Sequence, residues 1–264
     1  MPVDVQILKW PSIALFAALI GAFLLISAAG AAGFRKLRRG RDVSPSNETV
    51  ALVLGIYGAI YGVLLAFVVV IAWDDLSTAE GRVDAESASL ASIVRDAEFF
   101  PAGVRDSISR DMKGYLKNVI NVEWVEMGQG KVPSASNPYL EDILATLKDY
   151  RPSNAREVAD YESIRTDLTS AISDRRDRIG YSGEQLPPLL QYFILGGAVS
   201  VVLLACCYTP RGRLDQVVLL TSVSVLLAAS LLIVLGLNHP FAGDISVSPD
   251  AYYRGVLSQY APPR

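Results

Sequence analysis

The chain has 264 residues, 51% of them hydrophobic and 19% charged, with a formal net charge of -3 and a mean hydropathy of +0.32. Its two cysteines and single histidine exclude a disulfide framework and a Cys/His zinc site by count. No concentrated basic face suggests nucleic acid.

The apolar residues lie in blocks. Four charge-free runs, Trp10–Phe34, Thr49–Trp73, Gln185–Pro210 and Gln216–Gly243, each exceed the about 20 helical residues that cross a bilayer core of roughly 30 Å. This predicts an all-α integral membrane protein: four transmembrane helices, with a helical extramembrane insert between helices 2 and 3. The expected domains are a first helix pair in 1–73 (spans about 11–34 and 50–73) and an insert over 74–184. A second pair in 185–243 (spans about 187–209 and 216–237) and a C-terminal tail over 244–264 follow. The insert carries 21 acidic against 14 basic side chains, and the basic excess lies elsewhere, in the short membrane loops.

The first run resembles a secretion signal, with Ser27–Gly33 as a small-residue cleavage site. Its apolar core is too long, and only Lys9 is positive ahead of it, so a retained membrane helix is expected. The cluster Arg35-Lys36-Leu37-Arg38-Arg39-Gly40-Arg41 follows. It reads as a topogenic signal that puts this loop in the cytoplasm, or as a contact for anionic lipid head groups. Arg211 and Arg213 agree with that orientation, which leaves both termini and residues 74–184 outside the cytoplasm. Arg175, Arg176 and Arg178 argue the other way, from a long loop where the rule carries little weight.

The second run holds Gly55, Gly58 and Gly62, with Ala59 and Ala66 nearby, and Gly58 to Gly62 is a GxxxG. Small residues at this spacing let helix backbones approach closely in lipid. Tyr57, Tyr61 and Phe67 share the segment. Two readings are open: helix packing within one subunit, or a helix that lines an oligomer axis or pore. Trp73 stands at the interface, and Asp74 and Asp75 either ring a pore mouth or mark the water boundary. No helix-ending cluster occurs before Phe99-Phe100-Pro101. Leu76, Ala79, Val83, Leu90, Ile93, Val94 and Ala97 keep an apolar stripe at helical spacing. One helix is therefore expected to leave the membrane and continue as a stalk, about 74 Å long from Thr49 to Ala97.

The rest of the insert reads as helix. Ile108, Met112, Tyr115, Leu116, Val119 and Ile120 mark one face, which ends at Gly128-Gln129-Gly130. Tyr139–Tyr150 forms a short helix, and Ser153-Asn154 caps a long one expected to pack antiparallel on the stalk. Trp124 is expected to point inward, with Glu123 bonding a basic residue on a neighbouring helix. His239 has no nucleophile elbow, metal-ligand partner or phosphate loop beside it, so no enzyme activity, cofactor or metal is expected. No lysine, arginine or carboxylate lies well inside a span, unlike proton relays and many transporters.

The order and spacing of Ala66-Phe67 through Trp73, the stalk with Glu86 and Ala88, Glu123-Trp124, and Pro240-Phe241-Ala242-Gly243-Asp244 continuing to Pro249 resemble a bacterial bestrophin-like membrane family. Two spans, a helical insert, two spans and a tail cover nearly the whole chain. Bestrophins are pentameric ion channels whose second span lines the pore. The resemblance implies a multi-pass protein of the bacterial inner (plasma) membrane, a homo-oligomer with Gly55–Trp73 toward a central axis, and inorganic ions as cargo. A second class stays open: a non-conducting, membrane-anchored helical interaction module. The lipid bilayer is a partner in both, and nucleic acid in neither.

Overall fold

A computed structural model describes residues 10–38, 46–183, 186–210 and 212–264. Lys9, Arg39–Arg41 and Arg211, read above as charge signals, lie outside the described residues. The described elements are helical and include no strand, as the apolar periodicity predicts. In order they are α1 (Ser12–Arg38), α2 (Asn47–Ala97), α3 (Ala102–Asn118), a π-helical turn (Val119–Glu123) and α4 (Trp124–Gly128). Then come α5 (Pro138–Asp149), α6 (Ala155–Gly183), α7 (Pro188–Cys207) and α8 (Arg213–Leu237), with two 3-10 turns, Pro249–Tyr253 and Gly255–Gln259, near the end. Among the described residues, four helices are long and apolar enough to cross a membrane.

The helix limits follow local chemistry. Pro188 opens α7, where its missing N–H costs nothing, and α8 stops at Leu237 ahead of Pro240. Asn137 caps α5 by accepting the Tyr139 N–H at 3.1 Å. At α6, Asn154 accepts the Glu157 N–H at 2.9 Å, and Glu157 accepts the Ser153 N–H at 2.7 Å, a reciprocal capping box.

The chain divides into two compact units. One contains α1, α2 as far as Asp74, α7 and α8; the other contains α2 from Asp75, α3–α6 and residues 239–264.

In the first unit α1 packs on α7 and α8. Phe23, Ile194, Ala198, Val202, Ala205 and Ala228 form the centre of its core. Small residues bring the backbones close, and buried hydroxyls pair because hydrocarbon offers them no other partner. Ser27 and Ser224 hydrogen-bond at 3.2 Å, and the Cys206 thiol donates to the Ser27 carbonyl at 3.3 Å. The two cysteines are therefore free thiols within a membrane helix.

In the second unit α6 runs antiparallel to the stalk part of α2. Ser163 donates to Asp96 at 2.8 Å near one end, and Arg82 faces Asp174 at 3.5 Å near the other. Residues 239–264 fold into this unit, burying Phe241, Val247, Ala251, Tyr252 and Leu257 in its core.

Candidate functional site

Two places gather the residues singled out by the sequence. The first is the membrane part of α2. Tyr61 faces inward: its hydroxyl donates to the Ile194 carbonyl at 2.9 Å, and its ring lies where a Cβ on Gly197 would be. This holds α2 to α7, as Asn47 does at the start of α2 by donating to the Thr209 carbonyl at 2.7 Å. Val50, Val68 and Ala72 are buried too, but only 11% of the most apolar stretch of α2 is. A Cβ on Gly55, Gly58 or Gly62 would meet no atom within 4 Å, so packing inside the chain does not require these glycines. Gly58 and Gly62 border a groove of about 570 Å³ that they share with Val223, Leu226 and Ser230 of α8.

At about 100° per residue, Ile56, Ile60, Val63, Phe67 and Asp74 fall within about 60° of one another. All five are exposed, as are Tyr57 and Trp73. The outer face of α2 is thus an apolar row ending in a carboxylate. Asp75, one residue on, is half-buried in the second unit.

The second place is a charged core in the extramembrane unit. The apolar stripe of α2 runs Ala79, Val83, Leu90, and Glu86 occupies its missing step. In α6 the stripe Ile164, Leu168, Ala171 continues onto Arg175 and Arg178. In α3 and the π turn, Met112, Leu116 and Val119 lead to Glu123. All four charged side chains are consequently buried. Arg178 pairs through Nε with Glu86 at 2.7 Å and through Nη2 with Glu123 at 2.9 Å. Arg175 pairs with Glu123 at 2.9 Å and donates to the carbonyls of Ser134 at 2.8 Å and Ala135 at 2.7 Å. Tyr115 donates its hydroxyl to Glu86, and Asn137 its amide to Glu123 at 3.0 Å.

Trp124 covers this cluster. The Arg178 guanidinium lies 5.4 Å from its ring centroid, a cation–π contact in a desolvated setting. Phe241 and Tyr252 meet the indole edge-on at 5.5 and 5.8 Å, and its N–H donates to the Val247 carbonyl at 3.3 Å. Pro240 and Gly243 belong to the turn that delivers Phe241, closed by the Val247 N–H on the Pro240 carbonyl at 2.8 Å. His239, beside it, is buried.

Two carboxylates against two guanidiniums make the cluster neutral, which offsets the large cost of burying each charge alone. Burial by itself would raise the Glu123 carboxyl, but Arg178 and Arg175 hold it below the ordinary glutamate value. Burial likewise works against a charged Arg178, and Glu86 outweighs it, raising the guanidinium further. Burial pushes the Tyr115 hydroxyl well above its usual value, and Glu86 adds to the rise. Glu123 and Arg178 therefore keep their ordinary ionic forms. Among the described residues, no group of three or more His, Cys, Asp or Glu side chains is placed to hold a metal ion.

Glu123 meets the expectation of a basic partner on a neighbouring helix. Arg175 and Arg178, read from sequence only as topology signals, are that partner. The signal that identifies them was their place in the apolar stripe of α6.

Four lipid-length helices joined to a helical unit with a self-paired charged core define a polytopic helical membrane protein. A family model described as a bestrophin-like domain matches residues 11–252, and the chain belongs to the bestrophin-like family. No curated protein and no solved structure matches it.

Proposed function

We propose that this protein is an oligomeric ion channel of the bacterial inner membrane, with α2 lining its axis. The observation that carries this reading is the outer face of α2. It is apolar and exposed along its whole membrane length, and Gly55 and Gly62 lie about 110–130° round the helix from it, where an added Cβ would meet no atom of the same chain within 4 Å. Small residues let a neighbouring copy's helix approach closely. The row Ile56, Ile60, Val63 and Phe67 then forms a hydrophobic constriction, and Asp74 forms a ring of carboxylates at its mouth. Membership of the bestrophin-like family supports the reading.

The test is ion flux from liposomes holding the purified protein, with Gly62→Leu and Phe67→Ala variants beside it, and native mass spectrometry for oligomer size. Flux is expected in the wild type. It should be lost in Gly62→Leu, which blocks close approach, and raised in Phe67→Ala, which widens the constriction. A folded monomer without flux over a range of salts and pH would overturn the channel and favour the membrane-anchored interaction module.

A further inference from the structure

We propose that the groove between α1 and α8 is a binding site for an anionic phospholipid. The groove has a volume of about 240 Å³ and is lined by Leu24, Ala28, Arg35, Gln216, Val217 and Leu220, among others. Its two ends differ in chemistry. Toward the middle of the span it is walled by Leu24, Ala28 and Leu220. At the end of the span it is walled by Arg35 of α1 and Gln216 in the first turn of α8.

Three observations select the occupant. Arg35 is held in place by its own helix: Nε donates to the Ala31 carbonyl at 3.1 Å. Among the described residues nothing else bonds the guanidinium, and its terminal nitrogens suit the paired oxygens of a phosphodiester, a geometry that favours arginine. The described charges at this end are Arg35, Lys36 and Arg213 against Glu48 and Asp215, still an excess of positive charge where a head group would sit. Finally, Leu24 lies eleven residues from Arg35, about 16 Å along a helix, close to the roughly 15 Å of hydrocarbon in one leaflet. A phosphate at Arg35 therefore leaves one acyl chain to run along Ala28 to Leu24. The inference is independent of whether the protein conducts ions.

The test uses the full-length protein in nanodiscs of phosphatidylcholine and phosphatidylglycerol at 4:1. Lipid retained after detergent extraction is counted by mass spectrometry. The wild type is expected to enrich phosphatidylglycerol about fivefold, the preference that one basic residue supplies near a membrane. Arg35→Gln should remove the preference while the fold persists. Ala28→Phe, at an exposed position that fills the groove, should lower retention of both lipids. Inorganic phosphate alone should leave the thermal midpoint in phosphatidylcholine discs unchanged. Equal retention of both lipids by the wild type, or an undiminished preference in Arg35→Gln, would overturn the site. So would a midpoint raised by phosphate as much as by phosphatidylglycerol, or an Ala28→Phe variant that changes oligomer size while retaining lipid.

Discussion

Glu123 and Arg178 meet at 2.9 Å, although each occupies a helix position where its neighbours in the stripe are hydrocarbon. The pair is charged where the pattern calls for a methyl group. Removing one partner leaves the other ionised and buried, whereas replacing the whole set with apolar residues of similar volume does not. Arg178→Met should therefore destabilise the protein by about 3–5 kcal/mol. The double variant Arg178→Met, Glu86→Gln, which keeps Glu123 paired with Arg175, should recover part of that loss. Thermal unfolding of the full chain in detergent measures both, and a double variant as damaged as the sum of its parts would show the groups to be independent.

Acid should act through the same carboxylate. The Glu123 carboxyl is held below the ordinary glutamate value in the folded protein. Its ionisation thus contributes stability that is fully present above the unfolded value of about 4.3. That contribution is lost as pH falls through the lower folded value. The midpoint difference between wild type and Glu123→Gln should be constant from about pH 6 to 8 and shrink below about pH 4. A difference independent of pH down to 3 would contradict it.

Trp124 joins the charged core to residues 239–264 through Phe241, Tyr252 and the Val247 carbonyl. Trp124→Ala should cost about 3–5 kcal/mol, the usual range for an aromatic removed from a core. It should also loosen this segment first, so trypsin should cleave after Arg254 sooner than in the wild type. Trp124→Phe, which keeps the ring contacts and loses the indole N–H, should fall between.

The glycines of the membrane unit should separate into two classes. Gly197→Ala pushes a Cβ into the Tyr61 ring and should lower the thermal midpoint of the monomer. Tyr61→Phe, which removes only the bond to Ile194, should cost about 0.6 kcal/mol, typical of polar contacts in lipid. Gly58→Ala and Gly62→Ala meet open space and should leave the monomer unaffected. A midpoint shift from either as large as that of Gly197→Ala would show that α2 packs differently.

Much of the architecture was legible because it rests on strong local signals. Charge-free runs of lipid length gave the four spans, prolines and asparagines gave helix limits such as Pro188 and Asn137, and the 3.6-residue stripe gave the inward faces. The charged core was legible only in part. Glu123 drew attention through the adjacent Trp124, but Glu86 stood out only as part of the stalk resemblance, and Arg175 and Arg178 only as topology signals. Only the stripe positions they fill mark them as buried. Their pairing across some fifty to ninety residues of sequence has no local signature, and neither does the π turn over Val119–Glu123. Tyr61 illustrates the same limit: its spacing suited either a pore face or a helix contact, and Gly197, which receives it, lies on another span.

The extramembrane unit is assembled from two stretches of chain separated by α7 and α8, and that arrangement sets an order of biosynthesis. Glu86, Glu123 and Arg178 emerge from the ribosome before α7, but Phe241 and Tyr252 emerge only after α8. Until the last helix has been inserted, Trp124 has no lid and the ion pairs beneath it stay open to water. Completion of the final membrane crossing is thus a precondition for maturing the unit outside the bilayer. A chain terminated just after α8 would present an uncovered indole and an unfinished core, the kind of surface by which quality-control proteases select their targets.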